Sequence, residues 1–206
     1  MTITRIISTS DPESIQAAAV VLQQGGLVAF PTDTVYGLAV PINSQSGIDR
    51  IFEVKGRDYN KAIAVLVGSL AHIPLLTPGF PDKAQKLADS FWPGALTLVV
   101  EILPGLPPNL SPYPTIGIRM PNHPFALALL QKTGPLATTS ANLSGGANTI
   151  TAAQVLQQLD GKIDLLIDGG ETPGAVPSTV VDCTKPDLVI LRQGAVLEDE
   201  LKRKLV

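Results

Sequence analysis

At residues Leu136–Gly146 the chain reads Leu-Ala-Thr-Thr-Ser-Ala-Asn-Leu-Ser-Gly-Gly. The first of these residues are apolar or β-branched, which is typical of the end of a β-strand. Hydroxyl groups, a carboxamide and a glycine pair follow, and such junctions bind phosphate or carboxylate oxygens through short side chains and backbone N–H groups. The stretch therefore predicts an anion site at a strand end, although a Ser/Thr-rich surface loop has the same composition.

The sequence around this stretch is free of carboxylates. From Ile102 to Leu159 there is no Asp or Glu, and the full charges are those of Arg119 and Lys132. A chain of this composition would carry roughly five acids over that length. Hydroxyl groups and an arginine without nearby acids favour a bound anion over a solvated loop.

Length and composition are those of a globular protein with a substantial core. The chain has 206 residues, of which 45% are hydrophobic and 16% charged. Its net charge of −3 argues against a generally basic nucleic-acid-binding protein. Cys183 is the single cysteine, which excludes an intrachain disulfide and a cysteine-rich zinc site. We expect a cytoplasmic protein without membrane contact, since there is no secretory leader or membrane-length apolar run.

Hydrophobic periodicity predicts helices interleaved with strands. A capping-box spacing from Ser10 to Glu13 predicts the start of a first helix, which ends at Gly25-Gly26. Further helices are expected at 47–54, after Pro81, at 124–131, after Thr151 and at 198–204. Strands are expected at 27–30, 63–67, 96–102, 115–120, 163–167, 179–183 and 188–191. This order predicts one α/β domain over residues 1–206, a mixed sheet with helices packed against it.

A lysine lies on the apolar side of the second predicted helix. That side carries Ile48, Ile51 and Phe52, and Lys55 occupies the next helical step. An inward lysine needs an anionic partner or a route by which its ammonium reaches water. Alternatively, Lys55 offsets the helix dipole at the C-terminus. Arg57 adds a second positive charge two residues later.

Hydroxyl groups and an arginine stand at the ends of other predicted strands. Thr32, Thr34 and Tyr36 follow the first strand, where α/β sheets bind ligands, although a hydroxyl-capped turn accounts for them as well. Arg119 ends an apolar strand, and an arginine in such a place is paired with a carboxylate or bound to an anion. Because acids are absent nearby in the sequence, we favour the anion.

The same pattern recurs near the end of the chain. Ser178 precedes a strand and Arg192 follows the next one. Ser178 could instead cap a turn, and Arg192 could pair with Asp182 or Asp187. Together with Lys55, Arg57 and Arg119, these residues suit a polyanionic small molecule and a second ligand that carries a carboxylate.

Standard catalytic motifs are absent from the sequence. It contains neither of the common glycine-rich nucleotide motifs and no hydrolase nucleophile elbow. The histidines His72 and His123 lie near prolines and are expected at the surface, so we assign them neither a metal nor a catalytic triad.

A series of short motifs spans the chain from Gly25 to Gly194. They are Gly-Gly-Leu-Val-Ala-Phe-Pro-Thr-Asp-Thr-Val-Tyr-Gly-Leu, Lys-Gly-Arg, Trp-Pro-Gly-Ala-Leu-Thr, Ile-Gly-Ile-Arg-Met-Pro, Thr-Ser-Ala-Asn-Leu-Ser-Gly, Pro-Ser-Thr-Val-Val-Asp and Arg-Gln-Gly. In this order and spacing, the chain resembles the YrdC-like family of L-threonylcarbamoyladenylate synthases. The resemblance implies a YrdC-like fold, a twisted open mixed sheet around a positively charged depression.

The resemblance also implies an activity, a nucleotidyl transfer. L-threonine, bicarbonate or CO2, and ATP would give threonylcarbamoyl-AMP and pyrophosphate for the threonylcarbamoyladenosine modification of tRNA. A downstream tRNA threonylcarbamoyl transferase would accept the intermediate. Mg²⁺ would accompany ATP without a dedicated set of protein ligands.

Site residues carry over from the matching motifs. The resemblance implies that the nucleotide phosphates are held by the catalytic set Lys55, Arg57, Ser140 and Asn142. It implies further ATP contacts at Tyr59, Thr115, Asn148 and Arg192. It implies an L-threonine site formed by Thr32, Arg119, Thr138 and Ser178 and lined by Tyr36.

The chain departs from the family pattern in two places. Asp58 and Ala62 stand where many relatives have proline, so we expect a differently shaped loop around Tyr59. The longer relatives carry an extra C-terminal domain, whereas this sequence ends at Val206, so we expect no lid from such a domain.

Two other classes of function are open. The depression could bind tRNA or double-stranded RNA. The acidic net charge and the lack of basic–aromatic stripes argue against RNA binding as the main role. The chain could also be a carbamoyl-transfer domain like that of hydrogenase-maturation proteins, although the accompanying acylphosphatase and zinc-finger segments are missing.

Overall fold

A computed structural model describes residues 3–174 and 176–205. The strands are β1 Arg5–Ser8, β2 Val28–Phe30, β3 Gly37–Pro41, β4 Ala64–Leu66, β5 Leu96–Glu101, β6 Thr115–Arg119, β7 Leu136–Ser140, β8 Leu165–Asp168, β9 Thr179–Asp182 and β10 Val189–Arg192. The α-helices are α1 Ser14–Gln23, α2 Gln45–Lys55, α3 Asp82–Phe91, α4 Pro124–Thr133, α5 Ala152–Leu159 and α6 Glu198–Leu205. A 3₁₀ segment covers Leu70–Leu75.

The strands form one sheet in the order β1-β8-β2-β3-β7-β4-β6-β5-β9-β10. Pairs β1/β8, β2/β8, β4/β6 and β5/β9 are parallel, and the other neighbours are antiparallel. The predicted open mixed α/β sheet is therefore confirmed. The domain boundary at residues 1–206 stays a prediction, because Met1, Thr2, Ala175 and Val206 lie outside the described residues.

The two faces of the sheet are covered unequally. Alternate residues of β2 face opposite sides, with Ala29 in a core under α2, α3 and α5 and Phe30 in a second core under α1 and α4. Helices α1 and α4 pack together on one face of the sheet and cover the half of that face that contains β1, β8 and β2. Residues of β6, β5 and β9 on the same side, among them Thr115, Arg119 and Thr97, border an open cavity instead.

The structure corrects the predicted start of the first helix. Helix α1 begins at Ser14, and its N-cap residue Glu13 makes no side-chain capping bond. The Ser10 hydroxyl lies 2.8 Å from that of Ser8, and the Asp11 carboxylate accepts from the Glu13 N–H at 2.8 Å. Asp11 thus forms an Asx turn in place of the expected capping box. By contrast, the Thr151 cap of α5 is confirmed, since its hydroxyl accepts from the Gln154 N–H.

Two strands were not predicted. Strand β3 is a short segment between a hydroxyl-rich turn and Pro41, and β1 is an edge strand with one buried residue. The two histidines expected at the surface, His72 and His123, are partly exposed. No helix among residues 3–174 and 176–205 is long and apolar enough to cross a bilayer.

Candidate active site

The bare half of the sheet face forms a cavity of about 380 Å³. Its floor consists of alternate residues of β4, β5 and β6 and the last three residues of β7. Its walls come from the turn after β2, the loop after α2 and the segments around β9 and β10. The predicted site residues on its surface are Thr32, Arg57, Thr115, Arg119, Thr138, Ser140, Asn148, Ser178 and Arg192. Most of the residues selected from the sequence thus meet in one place, although they span 160 positions from Thr32 to Arg192.

Lys55 lies beneath this cavity and does not line it. The predicted inward direction is confirmed, since only 3% of Lys55 is exposed. Its ammonium donates to the main-chain oxygens of Ser140, at 2.5 Å, and of Asn142. Burial, with a smaller contribution from the charge of Arg57, lowers the pKa of Lys55 to about 7. The partners of Lys55 are therefore the carbonyl groups of the loop after β7, and not those at the end of its own helix.

Asn142 likewise shapes the loop from within. Its amide group donates to the oxygens of Leu143 and Gly146, both at 2.9 Å, and the side chain is buried outside the cavity surface. Gly145, at φ 79°, adopts the left-handed conformation that this turn requires. Lys55 and Asn142 together hold the loop in the form that presents Ser140 to the cavity.

Arg57 and Arg192 bring positive charge to the cavity surface. Arg57 donates to the Ala62 oxygen at 2.8 Å, and its Nε is buried without a hydrogen-bond partner. Arg192 donates to the Ser178 oxygen at 2.8 Å and to the Ser178 hydroxyl at 3.1 Å. Burial lowers the pKa of both groups, and the charge of Arg192 further lowers the pKa of Arg57. The two positive charges therefore repel one another, which favours binding of an anion near them.

Among the described residues neither Arg57 nor Arg192 forms an ion pair within 4 Å, although the charge of Asp58 raises the pKa of Arg57. Within residues 3–174 and 176–205, the ion pairs are Arg50 with Asp164, Arg119 with Asp33, and Lys202 with Glu198. The alternative that Arg192 pairs with Asp182 or Asp187 is therefore wrong.

Arg119 does have a carboxylate partner, contrary to expectation. Its Nη2 lies 2.6 Å from Asp33 Oδ1, its Nη1 donates to the Thr34 hydroxyl at 2.9 Å, and its Nε donates to the Gly94 oxygen at 2.9 Å. Asp33 precedes Arg119 by 86 positions, so the acid-free sequence around Arg119 could not indicate it. The guanidinium is thereby fixed in one orientation while still reaching the cavity surface.

The hydroxyl groups of the site have mixed roles. Thr32 forms the capped turn of the alternative interpretation, because its hydroxyl accepts from the N–H groups of Thr34 and Val35 and donates to the Val35 oxygen at 2.6 Å. It also lines the cavity. Ser178 does not cap a turn, since its hydroxyl lies 2.8 Å from that of Thr97 and close to Arg192.

Tyr59 lies outside the cavity surface. Its side chain is 53% exposed, and its ring stacks on that of Phe52 with 4.3 Å between centroids. The loop that carries it is shaped by Asp58, whose carboxylate accepts from the Asn60 N–H at 2.9 Å. The structure thus does not bring Tyr59 to the residues expected to contact ATP.

Tyr36 is a core residue and does not line the cavity. Its hydroxyl donates to the Gly170 oxygen at 2.7 Å and accepts from the Gly169 N–H at 3.2 Å. Burial raises the pKa of this phenol, so the hydroxyl keeps its proton at neutral pH. Tyr36 therefore anchors the start of the segment that leads from β8 to Ser178.

We expect Tyr36→Phe to lower the free energy of unfolding by about 0.5–1.5 kcal/mol, because it removes the part-buried hydrogen bonds of the Tyr36 hydroxyl to the main chain of Gly169 and Gly170. Denaturant titration measures this change. Tyr113→Phe is the matched control, since the Tyr113 hydroxyl makes an exposed bond at 3.3 Å and its loss should cost little. Equal stability of Tyr36→Phe and the wild type would contradict the anchoring role.

The residues of the cavity floor carry weaker signals in the sequence. Thr97 closes the Trp-Pro-Gly-Ala-Leu-Thr motif and was not selected, yet it lines the cavity next to Ser178. Gly37 and Gly117 also line it, and an added Cβ would lie 2.9 Å from the Thr138 methyl group and 3.0 Å from the Thr97 methyl group, respectively. Because these glycines have no side chain, they leave space in the cavity beside Thr138 and Thr97.

We expect Gly117→Ala to weaken ligand binding by about tenfold or more, because overpacking a tight site costs about 1–3 kcal/mol. Its new methyl group would lie in the floor of the cavity, against Thr97. Calorimetric titration measures the affinities, and Gly79→Ala is the control, since a Cβ there meets no atom within 4 Å. Unchanged affinity in Gly117→Ala would show that no ligand reaches this part of the floor.

The site as a whole can bind and orient anions. It offers guanidinium groups and hydroxyls, and the described residues hold no group of three or more His, Cys, Asp or Glu able to bind a metal ion. The fold and site thus define an α/β protein with an anion-binding cavity on an open sheet face.

Comparison with known proteins identifies the family. The Sua5/YciO/YrdC family, described as telomere recombination, matches residues 20–194, and the chain belongs to this family.

Similar curated relatives include two threonylcarbamoyl-AMP synthases. The threonylcarbamoyl-AMP synthase of Bacillus subtilis (strain 168) is 42% identical over 97% of this chain and 58% of its own length. That of Pyrococcus abyssi is 39% identical over 92% of this chain and 56% of its own length. A crystal structure of P. abyssi Sua5 complexed with L-threonine matches with a TM-score of 0.94 and 37% identity, over 99% of this chain and 61% of that chain. This chain thus spans little more than half the length of these curated relatives.

Proposed function

We propose that this protein is an L-threonylcarbamoyladenylate synthase, a nucleotidyltransferase that acts in the threonylcarbamoyladenosine modification of tRNA. The observation that carries the proposal is the meeting of Arg57, Arg119 and Arg192 with hydroxyl side chains in one cavity. Such a cavity suits two small ligands that both carry negative charge. The names of the relatives and the L-threonine complex of P. abyssi Sua5 support the same conclusion.

The proposed reaction joins three substrates. The uncharged amine of L-threonine attacks CO2, derived from bicarbonate, and loses a proton to give a carbamate. A carbamate oxygen then attacks the α-phosphorus of ATP, the bond to the bridging oxygen of the β-phosphate breaks, and pyrophosphate leaves. Both steps depend on positioning and on charge neutralisation, so the protein needs no covalent nucleophile.

The two ends of the cavity divide the substrates. Arg57 and Arg192, which lack carboxylate partners among the described residues, would neutralise the phosphates together with Ser140. Arg119, with Thr32, Thr138 and Ser178, would hold L-threonine. Lys55 and Asn142 would act from beneath by fixing the loop that carries Ser140.

Mg²⁺ would reach the site bound to the ATP phosphates, as in other nucleotide-dependent enzymes. Its role would be to reduce the negative charge that the arginines face. Transfer of the product to a downstream tRNA threonylcarbamoyl transferase, and direct contact with RNA, stay predictions.

Release of pyrophosphate tests the proposal. With Mg²⁺ and ATP present, we expect release only when both L-threonine and bicarbonate are added, because the attacking group is a carbamate formed from both. Assays that omit one of these substrates at a time are the control. Pyrophosphate that appears equally without L-threonine, or none with all substrates, would contradict the proposed activity.

A further inference from the structure

Arg119 differs from Arg57 and Arg192, the other arginines of the cavity, in having a carboxylate partner. Arg119 is buried and its Nη2 lies 2.6 Å from Asp33 Oδ1, with the two side chains only 8% and 12% exposed. Asp33 does not line the cavity, so its carboxylate touches the guanidinium away from the cavity surface. The pair as a whole is neutral, whereas among the described residues neither Arg57 nor Arg192 has an acid within 4 Å.

The charge of Asp33 is not neutralised by its histidine neighbour. The Asp33 charge acts on His123, but burial lowers the pKa of that imidazole, so His123 is uncharged at neutral pH. In the part of the chain that the structure describes, Arg119 is the one cation within 4 Å of the Asp33 carboxylate. A ligand beside Arg119 therefore meets a neutral ion pair, and the further positive charge is that of Arg192, which also acts on Arg119.

We propose that Asp33 determines specificity, by making the Arg119 end of the cavity selective for a zwitterionic amino acid over a simple anion. The inference rests on the proposed function in one respect, that L-threonine occupies this end. A lone buried arginine would attract a phosphate or any carboxylate. With Asp33 behind it, the guanidinium still offers its remaining N–H donors, but the carboxylate repels a second net negative charge and attracts an ammonium.

The arrangement explains how one cavity can keep two substrates apart. Both ATP and L-threonine carry groups that bind guanidinium. If the Arg119 end also carried an uncompensated positive charge, ATP or pyrophosphate would compete with L-threonine there. The contact between Asp33 and Arg119 thus serves a positioning role as well, because it fixes the direction of the guanidinium.

Ligands that differ by one amino group test this selectivity. We expect the wild type to bind L-threonine at least about tenfold more tightly than 3-hydroxybutyrate, which has the same carboxylate and hydroxyl but no amino group. In Asp33→Asn, which keeps an oxygen acceptor without the charge, we expect that preference to fall by about tenfold, or roughly 1.4 kcal/mol. Inorganic phosphate should compete with L-threonine more strongly in Asp33→Asn than in the wild type. Calorimetric titration measures each affinity.

Two further variants separate charge from structure. Asp33→Glu keeps the negative charge and should retain the preference for L-threonine. Asp164→Asn removes the acid of another arginine pair, with 2.9 Å between Arg50 and Asp164, and should leave the preference unchanged because that pair does not line the cavity.

The outcomes distinguish this inference from the proposed function. Equal affinity of the wild type for both ligands would overturn the inference even if no variant folds. Equal weakening of both ligands in Asp33→Asn would show a purely structural role and would also overturn it. If the wild type releases pyrophosphate as expected, those results leave the synthase activity intact. A wild type that neither binds L-threonine nor releases pyrophosphate overturns the proposed function and, with it, this inference.

Discussion

Lys55→Ala will reduce turnover by about a hundredfold at saturating ATP, with the protein still folded. The Lys55 ammonium holds the main-chain oxygens of Ser140 and Asn142, so its removal releases the loop that presents Ser140 to the cavity. A displacement of about 1 Å in a catalytic group is sufficient for an effect of this size. The fold should survive, because the variant also removes a charge from a buried position.

Steady-state pyrophosphate release and circular dichroism measure the two parts of this prediction. Lys132→Ala is the control, because Lys132 is an exposed lysine in the last turn of α4, away from the cavity surface. Wild-type turnover in Lys55→Ala would show that the loop holds its form without the lysine.

The second large effect separates Arg119 from Arg192. A guanidinium grips a carboxylate through two parallel hydrogen bonds, and a lysine ammonium cannot also replace the contacts of Arg119 with Asp33, Thr34 and Gly94. Loss of one charged hydrogen bond costs about 1.5–3 kcal/mol. Arg119→Lys should therefore weaken L-threonine binding by at least about tenfold and leave nucleotide affinity within about threefold.

Arg192→Lys should have the opposite bias. Its effect on L-threonine will not be zero, because Arg192 also donates to the hydroxyl of Ser178. Calorimetric titration of each variant with each ligand alone decides the question. Equal losses of both ligands in both variants would mean that the arginines only shape the cavity, and that the division of the site between two substrates is wrong.

The sequence predicted most of the fold through its periodic apolar residues. The β5 and β6 strands and helices α2 and α5 were found because each has a clear alternating or helical pattern. Strand β3 was not found, because Gly37–Pro41 is short and uniformly apolar and its assignment depends on pairing with β2 and β7. Such pairing is a long-range property that a local pattern does not contain.

The part of the candidate site that the sequence predicted is the set of charged and hydroxyl residues that stand in its motifs. Arg119 and Ser178 were selected because charged and hydroxyl groups stand at strand ends, and both reach the cavity. The roles of the partners were not predictable. Asp33 meets Arg119 only because the turn after β2 folds against β6, and Lys55 meets main-chain oxygens that no residue pattern indicates.

The identity of the product tests the central claim most directly. The protein is incubated with Mg²⁺, ATP, L-threonine and ¹³C-labelled bicarbonate. The products are separated and identified by their masses in mass spectrometry. We predict threonylcarbamoyl-AMP that carries one ¹³C atom, together with an equal amount of pyrophosphate. AMP or ADP without a labelled threonine adduct, in a protein shown to be folded, would contradict the claim that this cavity joins L-threonine, CO2 and ATP.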